Sequence, residues 1–317
     1  MSTIARLETK VDRFQQLLNE EQQQHPEPDF AAQLQMSSLQ GQLQQFQREL
    51  REAKAERKRE VVEVRFMRDD LFGQLRLKTL GVVAQNLADA LHAAAHYIRS
   101  SKGRGGRIPE EIVSTLDLQM VGLRSGSSRL VVSGELSPNL FGESLLQKSL
   151  LNTFELFESE DPDAITDAVS ALGVRSMRRL RDLLDEVVEK GFEMELKWNT
   201  PSNEQKTWHG NRRTIQRLRD TLKDFETTEP ETLTVEGTLY SISLSGRFTI
   251  ASGEEVYKGR FPDELDRRIR EFRIGQEVKA QLNALTYVNE AMNVERVKYT
   301  LMGIEPAENK SDEGDPL

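Results

Sequence analysis

An α+β fold is predicted for this sequence, with N-terminal coiled-coil helices, a mixed α+β middle domain and a C-terminal five-stranded β-barrel. Three observations carry that expectation. Apolar residues near the start recur in alternating steps of three and four. Between residues 61 and 226, helix and strand patterns come in blocks rather than in the strict alternation of a doubly wound parallel sheet. The last stretch, 227–306, reads as strands interrupted by one short helix.

Composition sets the outer bounds. A chain of 317 residues is long for one small core and suggests two or three folding units. Hydrophobic residues make up 37% and charged residues 30%, which points to a long solvated helical segment beside ordinary domains. The net charge of −9 repels phosphate backbones and anionic membranes, so a nucleic-acid contact needs a local basic patch. There are no cysteines, which excludes disulfides, thiolate nucleophiles and zinc–thiolate sites. The opening MSTIARLETKVDRF is charged from Arg6 onward and lacks the apolar run of a secretory signal. No stretch approaches the roughly 20 apolar residues of a membrane span. A cytoplasmic protein with no membrane partner is expected.

In segment 1–60, the stripe Ile4, Leu7, Val11, Phe14, Leu18 is followed by a second, Met36, Leu39, Leu43, Phe46, Leu50. Such spacing makes the seam of a coiled coil. His25-Pro26-Glu27-Pro28 separates the runs, because paired prolines stop a helix. Each stripe needs a partner: the other run folded back, the same run in a second subunit, or the middle domain. These ten residues form the expected oligomer or partner interface. From Arg48 to Glu60, charges of both signs alternate at helical spacing, which describes a solvated face.

The middle segment, 61–226, opens with a strand (Val61 to Phe66) and a turn at Asp69 to Gly73. A helix follows over 77–99, with Leu80, Val83, Ala84, Leu87, Leu91 and Ala95 on one face. Ser100 to Arg107 is a Gly-rich loop, and a hairpin is expected over Leu116 to Leu123 and Ser127 to Val132. Helices are expected over about 142–159, 163–171 and 174–190, the second opened by Asp161 as N-cap and Pro162 as first residue. Phe192 to Trp198 alternates as a strand, Trp208-His209 reads as an aromatic corner before a helix, and that helix covers 211–225. Glu226 to Pro230 is a linker, and residues 307–317 form an acidic tail expected to be disordered.

Over 227–306 the order is three strands (233–244, 247–251, 255–261), a short helix (262–272) and two longer strands (276–288, 293–304). With its helix between strands three and four, this order resembles the OB-fold, a five-stranded Greek-key barrel. The resemblance rests on topology and implies a recognition surface on the second and third strands. Single-strand binding there requires aromatics to stack on bases and cations to follow phosphates. Arg247, Phe248, Tyr257, Lys258 and Arg260 are the candidates. Against them, the segment 229–306 holds 13 acidic and 10 basic side chains, and Phe248 alternates in phase with Ile250 as a core residue would.

A second candidate phosphate contact is the loop bearing Arg99, Lys102, Arg104 and Arg107, whose glycines let backbone N–H groups face an anion. Three further arginine groups, around Arg175 to Arg181, Arg212 to Arg219 and Arg267 to Arg273, have acids nearby and read as surface ion pairs. His92 and His96 are four apart with Asp89 a turn earlier, but no Glu follows His92 and no fourth ligand is indicated. No metal, cofactor or catalytic residue is expected. The run Leu123 to Ser128, followed by a strand and the amphipathic helix Leu140 to Phe157, resembles the layout of uncharacterised bacterial multi-domain proteins. That resemblance implies an accessory protein in a defence or mobile-element setting.

The leading expectation is therefore a non-enzymatic protein that self-associates or docks on a protein partner through its N-terminal helices and presents the barrel for recognition. The alternative is nucleic-acid binding by the barrel and the basic Gly-rich loop.

Overall fold

The computed structural model describes residues 3–24, 30–55, 59–68, 75–101, 106–124, 128–135, 144–200, 205–243 and 245–307. The chain divides into two compact units, one carrying the two N-terminal helices and the other running onward from Glu60.

In the first unit, α1 (Thr3–Gln24) and α2 (Phe30–Ala55) follow the two apolar stripes. The helices pack on each other within the chain: Leu7, Leu18 and Leu43 are buried, and the Phe14 and Phe46 rings lie 5.2 Å apart. Val11, Phe14, Met36, Leu39 and Phe46 are half-buried, and Lys10 Nζ sits 4.7 Å above the Phe46 ring. Ile4 and Leu50 lie on these helices, with side chains outside the described residues, as is the His25–Pro28 junction.

The second unit begins with β1 (Arg59–Met67), in which buried and half-buried positions alternate as a strand with one core face requires. Then come α3 (Leu77–Ser100), α4 (Glu110–Leu116), β2 (Gln119–Arg124) and β3 (Ser128–Glu135). Next are α5 (Leu145–Glu158), α6 (Pro162–Leu172), α7 (Val174–Glu189), β4 (Glu193–Asn199), β5 (Gln205–Gly210) and α8 (Arg212–Lys223). Asp161 caps α6 as its sequence suggests, accepting from the Ala164 N–H at 2.9 Å, with Pro162 in the first turn. The strands form one sheet in the order β2-β3-β1-β4-β5. Val62, Val64 and Phe66 of β1 and Met194, Leu196 and Trp198 of β4 join the helices in one hydrophobic core. At the edge of that core, Trp198 Nε1 donates to the buried Glu60 carboxylate at 2.7 Å.

Three elements depart from the sequence expectation. Helix α4 follows the expected loop, in residues to which the sequence assigns no element, and takes in Leu116, expected to open a strand; only Ile112 and Leu116 of its seven residues are buried. Trp208 and His209 lie on strand β5 rather than at a corner: Trp208 packs 4.7 Å from the Phe157 ring and His209 faces solvent. The expected linker contributes part of a short strand, β6 (Phe225–Thr227), paired with the barrel. The turn at 69–73 and residues 102–105 of the expected loop 100–107 lie outside the described residues, as does the tail from 308.

The C-terminal part is a closed five-stranded mixed β-barrel, consistent with OB-like topology. Its strands are β7 (Glu231–Ile242), β8 (Arg247–Ser252), β9 (Glu255–Arg260), β10 (Glu277–Asn289) and β11 (Val294–Pro306). Antiparallel pairing joins β8 to β7 and β9, and β10 to β7 and β11; the parallel pair β9–β11 closes the ring. Closure brings the backbones together at Gly259, where any side chain would collide with the Tyr299 carbonyl. The expected helix at 262–272 is shorter than its pattern: a 3-10 turn (Asp263–Leu265) and α9 (Asp266–Ile269). The barrel core comprises Val235, Leu239, Phe248, Ile250, Val278, Leu282, Leu301 and their neighbours. Strand β10 serves both cores, because Tyr287, towards its C-terminal end, packs into the helix-and-sheet core. Among the described residues, no helix is long and apolar enough to cross a membrane.

Candidate functional site: a cationic cleft between helices and barrel

Strand alternation decides what β8 and β9 present to the outside. Phe248 and Ile250 point into the barrel and are 2% and 0% exposed. Arg247 and Thr249 therefore project from the opposite face. On β9, Lys258 and Arg260 pair in register with Thr249 and Arg247, so all four share that outer face. Helices α3, α5 and α6 roof it, leaving a cavity of about 530 Å³. Its helical wall carries Tyr97, Lys148, Glu155 and Asp167; its barrel wall carries the four strand residues with Tyr299 and Lys298.

Ion pairs pin the two walls together. Lys148 Nζ on α5 lies 2.8 Å from Asp263 Oδ1 beside the barrel, Lys298 on β11 bonds Asp167 on α6, and Arg296 Nε lies 2.9 Å from Asp163 Oδ1. Helix α3 is seated against the start of α7 by Gly173: its φ of +80° is open to glycine, and a Cβ there would lie 2.7 Å from the Tyr97 ring.

After these pairs, the lining cations and anions do not balance. Lys148 and Lys298 are taken by Asp263 and Asp167. Among the described residues, the side chains of Arg247, Lys258 and Arg260 make no hydrogen bond or ion pair, and the Glu155 carboxylate makes none either. Arg247 and Arg260 are direct cross-strand neighbours, a placement that is repulsive by itself. Burial, and then the Arg247 guanidinium, push Arg260 below the usual arginine range, with Glu155, Asp167 and Tyr97 acting the other way. Burial pushes the Tyr97 phenol up, while hydrogen bonds with Thr300 and Tyr287 oppose the shift. Chemically, the cleft offers three cationic side chains without a bonded partner among the described residues, hydroxyls beside them and one carboxylate in the same condition.

The sequence-derived candidates separate here. Arg247, Lys258 and Arg260 come together in the cleft. Phe248 contributes to the cleft's lining, but its side chain points into the barrel core. Tyr257 meets Tyr299 edge-on at 5.3 Å and donates its hydroxyl to Glu255, a bond that raises its phenol pKa. Arg99 and Arg107, at the two ends of the basic loop, are ion-paired. Arg99 Nη2 lies 2.7 Å from Glu111 on α4, with its Nε 3.8 Å from Glu264, and Arg107 lies 3.7 Å from Glu110. Lys102 and Arg104 lie outside the described residues. Several members of the helical arginine groups are paired: Arg179 with Asp89 and Asp182, Arg217 with Glu160, Arg219 with Asp185, and Arg270 with Asp266.

Asp89 thus faces an arginine, and among the described residues no cluster of three or more His, Cys, Asp or Glu could hold a metal ion. His92 has its Nε2 buried without a partner, and burial lowers its pKa despite Asp89 and Glu110. The helical wall residues Tyr97, Lys148, Glu155 and Asp167 were not legible as a site. Each occupies an ordinary position on an amphipathic helix, and only the packing of helices on barrel brings them to Arg247 and Arg260. No family model matches the chain, and no curated protein or solved structure matches it.

Proposed function

We propose that the chain is a non-enzymatic recognition and assembly protein whose cleft holds a phosphate-bearing ligand. The observation that carries this reading is the opposed, unneutralised Arg247–Arg260 pair in a half-enclosed cavity. Two guanidinium groups side by side raise the free energy of the empty protein, and an anion between them converts that repulsion into charge-assisted hydrogen bonds. The OB-like barrel supplies the rigid platform, and its second and third strands carry the cations. Calorimetric titration with pyrophosphate tests this. Binding should be measurable at low salt, weaken as salt rises and fall at least about tenfold in Arg260→Gln. No heat at low salt would end the reading.

The assembly half rests on the N-terminal hairpin. Its Phe14–Phe46 seam closes within the chain, while Leu17 remains 37% exposed and Met36 and Leu39 are only half-covered. A second copy covering this strip gives a coiled-coil bundle. Light scattering on the full chain should show an oligomer that Leu17→Glu shifts towards the monomer. A monomer at every concentration would remove self-association from the proposal.

A further inference from the structure

The cations of β8 and β9 find complementary charge in the chain's own sequence. We infer that the acidic segment 308–317 docks on them and competes there with the phosphate-bearing ligand. The inference rests on the phosphate-binding reading and adds the regulation of the same site. Residues 308–317 read ENKSDEGDPL, with Glu308, Asp312, Glu313 and Asp315 against Lys310 alone. Across from them, Arg247, Lys258 and Arg260 make no side-chain hydrogen bond or ion pair among the described residues. Arg247 and Lys258 are exposed and Arg260 is half-buried, so a segment approaching from outside reaches the first two directly. A peptide carboxylate and a phosphate both present oxygens to the guanidinium fork, which is why one face suits either.

The length of chain fits the distance. Strand β11 runs beside β9 with Thr300 opposite Arg260, and continues to Pro306. The next residue, Ala307, donates its N–H to the Glu277 carbonyl. Ala307 is seven residues beyond Thr300, or about 23 Å at the rise of a strand. An extended chain covers roughly 3.4 Å per residue, so from Ala307 the backbone of Asp312 reaches about 17 Å and that of Asp315 about 27 Å. Asp312, Glu313 and Asp315 therefore bracket the way back to the arginines, whereas Glu308 falls short. Charges farther apart than about 8 Å are largely screened at physiological salt, so only acids brought into contact count. A short tether holds these at an effective concentration on the order of a millimolar, enough for weak contacts to compete with a dissolved anion.

Zero-length carbodiimide crosslinking of the full chain tests the contact, because it joins the Lys258 amine to a carboxylate that it touches. Dilute protein at low salt should give a link from Lys258 to Asp312, Glu313 or Asp315. Excess pyrophosphate should suppress that link while the Lys148–Asp263 link, an internal standard, persists. A map without a Lys258 link to 308–317 overturns the inference, and so does a link that forms only between two chains and vanishes on dilution. The second arm titrates pyrophosphate into the full chain and into the triple variant Asp312→Asn, Glu313→Gln, Asp315→Asn. The variant should bind at least about threefold more tightly at low salt, and the gap should close as salt rises. Equal affinities overturn the competition and leave the phosphate reading standing. If neither protein binds pyrophosphate, the phosphate reading fails, and the crosslink alone decides whether 308–317 docks.

Discussion

On α7 and α8 the guanidinium groups of Arg179, Arg181, Arg217 and Arg219 each reach a carboxylate, whereas on β8 and β9 Arg247 and Arg260 are cross-strand neighbours and form no ion pair among the described residues. The two sets are built from the same residue type in a chain of net charge −9, with acids in excess. Leaving two arginines unneutralised in such a chain is therefore a matter of placement. The helical arginines range from 21% to 50% exposed, and each has a carboxylate within reach on its own helix or a neighbouring element. Of the barrel arginines, Arg260 is half-buried beneath the helices and Arg247 is exposed; Asp167 and Asp263 beside them are engaged by lysines, and Glu155 on α5 is left as the one acid lining the cleft without a bonded partner among the described residues. Ion pairs in the first setting are the common state of a surface arginine; the phosphate-binding proposal rests on the second setting, where none forms among the described residues.

The comparison can be broken first at the most buried of the paired arginines. Arg129 Nη1 lies 3.0 Å from Glu63 Oε2 on the sheet, with side chains 20% and 18% exposed. Removing the donor takes this contact from a part-buried carboxylate, so Arg129→Gln should cost about 2 kcal/mol. Urea unfolding measures it, and a loss near zero would show that pairing in the sheet contributes no more than on the helices.

The unpaired set behaves in the opposite sense. Arg260→Gln removes a desolvated charge and its repulsion from Arg247, so the thermal midpoint of the free protein should stay level or rise. Ligand affinity should fall by about tenfold, or 1.4 kcal/mol, in the same variant. Stability and binding moving apart is the signature of a residue kept for a ligand. A lower midpoint would instead make Arg260 an ordinary structural residue.

Much of this architecture could be read before the structure, and the failures have physical causes. Strand β1 and helix α3 show their periodicity because each has one fully buried face. Strand β5 hid because its outward residues are exposed and only Trp208 and Gly210 are buried, too short a pattern to distinguish from a loop. Helix α4 hid for the same reason, and β6 is three residues long. Of the site, Arg247, Lys258 and Arg260 were legible, since alternation along two strands puts cations on one face. Glu155 and Tyr97 were not: their role depends on how far apart the helical layer and the barrel sit, and no local pattern encodes that distance. The described edge of the basic loop shows the converse. It contains no acid itself, yet Arg99 meets Glu111 and Glu264 from two elements distant in sequence.

A smaller effect separates the helical layer's interior from its surface. His92 on α3 is held below its usual pKa of 6.5 by burial, and Asp89, its nearest help, also serves Arg179. The unfolded chain binds a proton at this position at a higher pH than the folded chain does. Stability from neutral His92 is therefore intact above pH 6.5 and is lost as pH falls through the lowered folded value. Wild-type protein should show a fall in midpoint over that window that is shallower in His92→Asn. Identical pH profiles would mean that the imidazole is solvated in the folded state.

The smallest expected effect is the one on which the opening contrast most depends. Arg217 Nη2 lies 3.0 Å from Glu160 Oε1, a good distance, but the side chains are 50% and 75% exposed. Water and salt screen such a pair, and fixing two long side chains costs entropy, so its contribution should lie within about 0.5 kcal/mol of zero. Arg217→Gln should therefore leave both the unfolding midpoint and phosphate affinity unchanged. If this variant were to destabilise the fold as much as Arg129→Gln, the surface pairs would be structural after all. The absence of partners at Arg247 and Arg260 would then carry less meaning, because neutralisation would no longer be the cheap default for an arginine in this chain. If it proves silent while Arg260→Gln abolishes binding, an arginine's role here follows from its surroundings rather than from its charge.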